Sequence, residues 1–174
     1  KKTIVIVTLF SFSISLYSQI SLFKDKEYIR QLDNMYYVDQ EIRKAMSNYY
    51  DDSLKMDSFV FAMELVDSIN LANLYTLSKE KGFPTKAKTG DNGVSTAWLV
   101  LWHHRGLQYK SNPTIQKLIP LIQNEMDAGR LKPDFLAMHE DYYRDAAGIT
   151  HLYGSLFGYY RSVPKYDSIR IENV

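Results

Sequence analysis

Cysteine, net charge and long hydrophobic runs are absent or scarce in this chain of 174 residues. Without cysteine, no disulfide and no thiolate metal site can form, and no cysteine is present for lipid attachment after an export signal. The 21 basic residues nearly balance the 20 acidic ones, so no broad basic surface for nucleic acid or anionic lipid is expected. Binding to nucleic acid is therefore not predicted.

The longest apolar run lies at residues 3–14, directly after Lys1 and Lys2. A charged start, an apolar stretch and then small or polar residues is the order of a secretory signal. About 12 apolar residues are too few for a permanent membrane helix, which needs roughly 20. We therefore predict a signal peptide at residues 1–18, cleaved after Ser15 or Ser18. The product would be periplasmic or extracellular, without a stable membrane span.

The remaining chain, residues 19–174, has the size of one ordinary domain. It keeps 156 of the 174 residues and 19 of the 21 basic residues. The whole sequence is 45% hydrophobic and contains 14 tyrosines, a composition typical of a folded core and not of disorder. A single domain of unknown function is predicted.

Apolar residues recur at three- and four-residue spacing in the first half of that domain, which is the helical period. Residues 28–49 predict a first amphipathic helix. A second helix is predicted to begin at Asp57 or Ser58 and to end at Gly82. Its apolar stripe consists of Phe59, Met63, Val66, Ile69 and Leu77.

Glycine and proline divide the next part of the chain. Residues 83–93 have turn chemistry and are predicted as a loop, whereas residues 95–102 are apolar nearly all round and predict a buried central helix. Asn112 and Pro113 form a cap and first turn for another helix. Within that helix, Pro120 predicts a kink or a split.

A last helix is predicted from Pro133, followed by residues 156–160 and 165–171 as a short β-hairpin or an extended tail. The predicted fold is thus mainly α. It is a single helical domain of about five helices with a short C-terminal β-hairpin or extended tail, preceded by the signal peptide.

Histidine is the residue type most open to a chemical role, because neutral imidazole can act as a base or as a metal ligand. No two of the four histidines stand four apart, and His139-Glu140 lacks the second histidine of a zinc-protease motif. We therefore predict no metal and no cofactor, although His103 and His151 with Asp141 or Glu140 could form a site across helices. His103 also has a simpler explanation, as a polar residue ending a helix.

Other candidate motifs are weaker. In Gly154-Ser155-Leu156-Phe157-Gly158 the serine stands one place too early for a nucleophile elbow. Asp39 and Arg43 are four apart, the spacing of an ordinary helical ion pair. Trp98 and Trp102 are also four apart, and an apolar helix favours a core position for them over a sugar-stacking surface.

Four short segments stand in the order of a known pattern: Asp39-Gln40-Glu41-Ile42-Arg43, Gly82-Phe83-Pro84, Ala97-Trp98-Leu99-Val100-Leu101-Trp102-His103 and Tyr153-Gly154-Ser155. They resemble an uncharacterised bacterial family of domains of unknown function. Its pattern is Asp-Gln-x-x-Arg, Gly-Trp-Pro, Ala-Trp-Leu-x-x-Gln-His and Gln-x-Tyr-Gly-Thr-Gln. The family also has an Asp-Arg pair before its last segment. The resemblance covers residues 35–174 and departs from the pattern where Trp102, His151 and Leu156 replace Gln, Tyr142 replaces the Arg of that pair, and Ser155 replaces Thr.

Three hypotheses follow for the function. The first is an exported binding or interaction domain of the cell envelope, for a protein, peptide or glycan partner. The resemblance supplies its candidate binding residues: Asp39, Gln40, Arg43, Trp98, Tyr153 and Gly154. The second is an exported hydrolase with His103 as general base, Asp141 as its orienting acid and His151 nearby. The third is a structural role, in which these polar residues form a buried hydrogen-bond network.

Overall fold

The computed structural model describes residues 25–49 and 53–156, with side chains of the second range from residue 55 onwards. The predicted signal peptide and all but the first residue of the predicted hairpin lie outside these ranges. Within them the fold is mainly α, as predicted, and contains no strand. Its helices are α1 (Lys26–Ser47), α2 (Ser53–Lys81), α3 (Lys86–Trp102), α4 (Gln108–Ser111), α5 (Pro113–Asp127) and α6 (Ala137–Ala146), with a 3-10 turn (Pro133–Leu136) before α6.

Side-chain caps fix where two of these helices begin. Before α1, the Asp25 carboxylate accepts a hydrogen bond of 2.9 Å from the Tyr28 backbone N–H. Before α5, the Asn112 side chain accepts from the backbone N–H groups of Thr114 and Ile115. Because a cap satisfies N–H groups that have no partner inside the helix, it favours one starting residue. The predicted cap at Asn112 is confirmed.

Two predicted boundaries are wrong. Helix α2 begins at Ser53, before the predicted start at Asp57 or Ser58, because the intervening residues include good helix formers that continue the helix. Most of the predicted loop 83–93 is helical, since α3 already begins at Lys86. The turn chemistry there produces only an interruption at Gly90, whose φ of 78° is a conformation that glycine adopts without strain.

Pro120 does not split the helix around it, contrary to one of the two predicted outcomes. Helix α5 runs from Pro113 to Asp127 as one element. Its apolar stripe of Ile115, Leu118 and Ile122 is completely buried. Burial of three large side chains contributes several kcal/mol, on the order of the roughly 3 kcal/mol that an internal proline costs.

The core lies where α1, α2, α3 and α5 meet. Helix α1 packs on α2 and α3, α2 packs on α5, and α4 connects α5 with α6. These helices supply most of the buried apolar side chains: Tyr28, Leu32, Met35, Leu71, Leu74, Leu77, Ala97, Val100, Leu101, Ile115, Leu118 and Ile122.

Four of the five residues of the predicted α2 stripe are buried or partly buried, and Ile69 is the exception. Ile69 is about half exposed, and Phe61 and Leu65 are exposed beside it, whereas Asp67 and Asn70 are buried. Apolar residues surround α2 on most sides, so their spacing alone could not select the face that packs inward. Packing against α1 and α5 determines which face of α2 is buried, and this face includes the polar residues Asp67 and Asn70.

Candidate functional site

Two buried helix faces each contain an acidic residue where an apolar one is expected. On α1 the buried positions are Tyr28, Leu32, Met35 and Asp39, separated by three or four residues, so Asp39 continues the apolar stripe. On α2, Asp67 precedes the buried residues of its inward face. Because α1 packs on both α2 and α3, these acids meet the residues at the end of α3.

The meeting point holds four side chains, which we call the polar cluster: Asp39, Arg43, Asp67 and His103. His103 Nε2 lies 3.0 Å from Asp39 Oδ1. Arg43 Nη2 lies 2.9 Å from Asp67 Oδ1 and 3.1 Å from Asp67 Oδ2, and 3.4 Å from Asp39 Oδ1. Helices α1 and α2 and the residue after α3 therefore bring two carboxylates, one guanidinium and one imidazole together.

The surroundings of Asp39 favour its charged form. Burial by itself raises the pKa of this carboxyl group, but His103, Gln40 and Arg43 together outweigh burial and hold the pKa below its usual value. Gln40 contributes through a hydrogen bond of 2.7 Å from its Nε2 to Asp39 Oδ2. The cluster thus contains two carboxylates against one permanent cation, the Arg43 guanidinium.

Hydrogen bonding in the polar cluster is incomplete. Asp39 Oδ1 and His103 Nε2 are close, but the ring N–H is not aligned with the oxygen, and neither buried atom has a hydrogen-bond partner among the described residues. Arg43 Nη1 is buried without a partner in the same part of the chain. Three orphaned polar atoms within one contact network are unusual, because buried polar groups are nearly always paired.

His104, the neighbour of His103, is held by the fold. Its Nε2 lies 3.2 Å from the backbone oxygen of Asp67, and its Nδ1 lies 3.0 Å from Gln108 Oε1. It is buried and connects α2 with α4. The two adjacent histidines therefore have different surroundings, and only His103 faces the carboxylates of the polar cluster.

Asp141 lies in a second polar group, whose hydrogen bonds involve none of the residues of the polar cluster. Its carboxylate accepts hydrogen bonds from the backbone N–H groups of Leu152, Tyr153 and Ser155 at 2.7, 3.0 and 2.7 Å, and from the Ser155 hydroxyl at 2.8 Å. Gly154, with φ of 64°, allows the chain to turn around this carboxylate. Asp39, and not Asp141, is thus the carboxylate beside His103.

The other predicted site residues divide between these groups. Asp39, Gln40, Arg43 and His103 come together in or beside the polar cluster. Tyr153 and Gly154 belong to the turn around Asp141. His151 is buried and lies 3.4 Å from Asp145 Oδ1, so none of its contacts in the described chain joins it to His103.

Trp98 lies at a different place, in a cleft of about 850 Å³ that we call the Trp98 cleft. Its apolar walls come from α3, α5, the 3-10 turn and α6: Val94, Trp98, Met126, Phe135 and Met138. Exposed charged residues line the same cleft: Lys86, Asp91, Arg130, Lys132 and Asp134. A cleft of this volume, mainly apolar with a few polar groups, has the character of a ligand site.

The aromatic walls of the Trp98 cleft are held firmly. Trp98 stacks on Trp102 with ring centroids 4.9 Å apart, and Phe135 packs edge-on against the buried Phe83 at 5.6 Å. Trp98 is half-buried, so it contributes to the core and still presents surface to the cleft. The core position that the sequence favoured therefore describes part of its environment.

Sequence reasoning missed Asp67 completely. One signal was present: Asp67 stands three, four and seven residues before Asn70, Leu71 and Leu74, the spacing of residues on one helix face. A charged residue in line with buried positions indicates a partner across the interface. That signal becomes useful only after the inward face of α2 is known.

Comparisons with protein-family models, with curated proteins and with solved structures found no match to this chain. No helix in residues 25–49 or 53–156 combines the length and the apolar character of a membrane span.

Proposed function

We propose that this protein is an exported helical binding domain of the cell envelope, and that the Trp98 cleft receives its ligand. The observation that carries the proposal is the cleft itself, which is lined by the packed aromatic side chains of Trp98 and Phe135 and by exposed charged residues. Exposed aromatic side chains elsewhere on the surface agree with an interaction role, since Tyr37 and Phe61 are 63% and 69% exposed. The export proposal rests on the N-terminal sequence pattern.

The chemistry of the cleft favours a peptide over a glycan. One face of Trp98 is already covered by Trp102, whereas sugar recognition by tryptophan uses an open ring face. Met126 and Met138 provide flexible apolar surface that adapts to varied side chains. Among the charged residues, Lys132 and Asp134 have no ion-pair partner in the described chain, so Lys132 is available for a carboxylate. The expected ligand is a peptide with an apolar side chain next to an acidic group.

A peptide array with varied apolar and acidic residues tests this proposal, followed by titration in solution. Met138→Glu places a charge in the apolar wall and should weaken binding at least tenfold, or about 1.4 kcal/mol. Leu107→Glu is the matched control, because Leu107 is exposed and lies outside the cleft. Equal binding by wild type and Met138→Glu, or binding of sugars alone, would contradict the proposal.

One observation favours a second candidate function. Asp39 lies against His103, and a buried carboxylate beside an imidazole can orient it and stabilise its charged form, as a hydrolase requires. This version assigns the orienting role to Asp39. It predicts turnover of ester or amide substrates that His103→Gln abolishes. Turnover that persists in His103→Gln would remove this candidate.

A further inference from the structure

Three possible metal ligands converge in the polar cluster. Asp39, Asp67 and His103 each offer one ligand atom, and these atoms all lie within 4.8 Å of one another. They come from α1, α2 and the residue after α3, so no local spacing motif could have indicated the site. Two carboxylates and one imidazole form a donor set that suits Zn²⁺ and neighbouring divalent transition metals, whose common sites have three protein ligands.

The contact between His103 and Asp39 has the geometry of two ligands of one ion. Bond lengths of about 2.0–2.2 Å to the metal place adjacent ligand atoms about 3.3–3.6 Å apart in a tetrahedral site and about 2.8–3.1 Å apart in an octahedral one. His103 Nε2 and Asp39 Oδ1 are 3.0 Å apart without the alignment of a hydrogen bond. Asp39 is only 2% exposed, so its orphaned oxygen faces the cluster and not bulk water.

Charge in the polar cluster also favours a second cation. Asp39 and Asp67 together carry two negative charges, and Arg43 supplies one positive charge. While His103 is neutral, one negative charge is left in a largely buried place, where isolated charges are costly. A divalent ion bound by the two carboxylates would neutralise it.

We propose that Asp39, Asp67 and His103 bind one divalent transition-metal ion, and that Arg43 holds Asp67 in the metal-free protein. About a fifth of the Arg43 side chain is exposed and its Nη1 is buried, so the guanidinium must move outward when the ion takes over the carboxylate. Arg43 and the metal then compete for Asp67. The site is independent of the Trp98 cleft, which shares none of these residues.

Titration of the full chain with Co²⁺ tests the site, because a bound Co²⁺ ion has visible absorption that reports its ligands. We expect one ion per chain, and competition by Zn²⁺. Asp39→Asn and His103→Gln should each weaken Co²⁺ binding at least tenfold. Asp33→Asn is the matched control, since Asp33 is exposed on the same helix and should leave binding unchanged.

Co²⁺ binding by the Arg43→Gln variant distinguishes a metal site from a structural ion-pair network most clearly. Removing the competing guanidinium should strengthen Co²⁺ binding several-fold, whereas in a purely structural ion-pair network it should create no affinity. Circular dichroism shows which variants are folded, and His103→Gln serves if Asp39→Asn fails to fold. The proposal is overturned if neither wild type nor Arg43→Gln binds one ion, or if Asp39→Asn and His103→Gln bind as wild type does.

Discussion

Asp39 and Asp141 are both buried carboxylates that the sequence marked as candidates, but their surroundings differ. Asp141 is 0% exposed and accepts four hydrogen bonds from one stretch of chain. Asp39 accepts one, from Gln40, and its other oxygen lies near His103 and Arg43 without alignment. The Asp141 carboxylate therefore has hydrogen-bond partners for both of its oxygens. Asp39 has such a partner for only one oxygen, although His103 and Arg43 lie close to the other.

This difference separates a structural role from a functional one. A carboxylate saturated by backbone N–H groups fixes the path of the chain and has little capacity left for a ligand. A buried carboxylate with an orphaned oxygen keeps capacity for a ligand, and incompletely satisfied groups of this kind are typical of sites kept for function. We therefore infer that Asp141 holds residues 152–155 on α6, and that the polar cluster around Asp39 is the part reserved for a ligand.

Replacement of Asp141 should have the largest effect on stability. Asp141→Ala removes the acceptor for three backbone N–H groups and the Ser155 hydroxyl. Hydrogen bonds to a charged acceptor contribute about 1.5–3 kcal/mol each, and water will satisfy part of the loss. We expect the free energy of unfolding in urea to fall by about 3–5 kcal/mol. A loss below about 1 kcal/mol would show that this turn does not depend on Asp141.

His139 provides a third case, an unsatisfied buried group without a charged partner in contact. Neither ring nitrogen has a hydrogen-bond partner in the described chain, and the ring stacks on Tyr109 and contacts Trp98. Burial, with a smaller contribution from Arg105, lowers the pKa of His139 to about 4. The ordinary pKa of histidine is near 6.5. Between pH 6.5 and 4, His139 is therefore protonated in the unfolded chain but neutral in the folded chain.

The stability contributed by neutral His139 is therefore complete above about pH 6.5 and is lost as the pH falls towards 4. The loss should be on the order of 3 kcal/mol over that range. Urea unfolding at several pH values measures it, and His139→Leu should flatten the dependence relative to wild type. If both proteins lose stability in parallel, His139 is not the group responsible.

The sequence predicted the helical fold and part of the site, for identifiable physical reasons. Asn112 with Pro113 and the residue Gly82 are local signals, so the helix boundaries near them were predicted well. One hypothesis grouped Asp39, Arg43, His103, Asp141 and His151. Of these, only the first three come together, and their contact with Asp67 was not foreseen. Which face of α2 turns inward depends on packing against α1 and α5, and local periodicity carries no information about that packing.

The comparison between Asp39 and Asp141 is tested most directly by urea unfolding of the variants Asp39→Asn and Asp141→Asn. The change in the free energy of unfolding expected for Asp39→Asn is the smallest of those predicted. Asp39→Asn removes a buried charge and leaves Arg43 paired with Asp67, so the polar cluster becomes neutral. Because the surroundings of Asp39 hold its pKa below the usual value, we predict that the free energy of unfolding of Asp39→Asn falls by no more than about 1 kcal/mol, while Asp141→Asn loses at least about 2 kcal/mol. Equal losses in the two variants would contradict the assignment of Asp39 to function and Asp141 to structure.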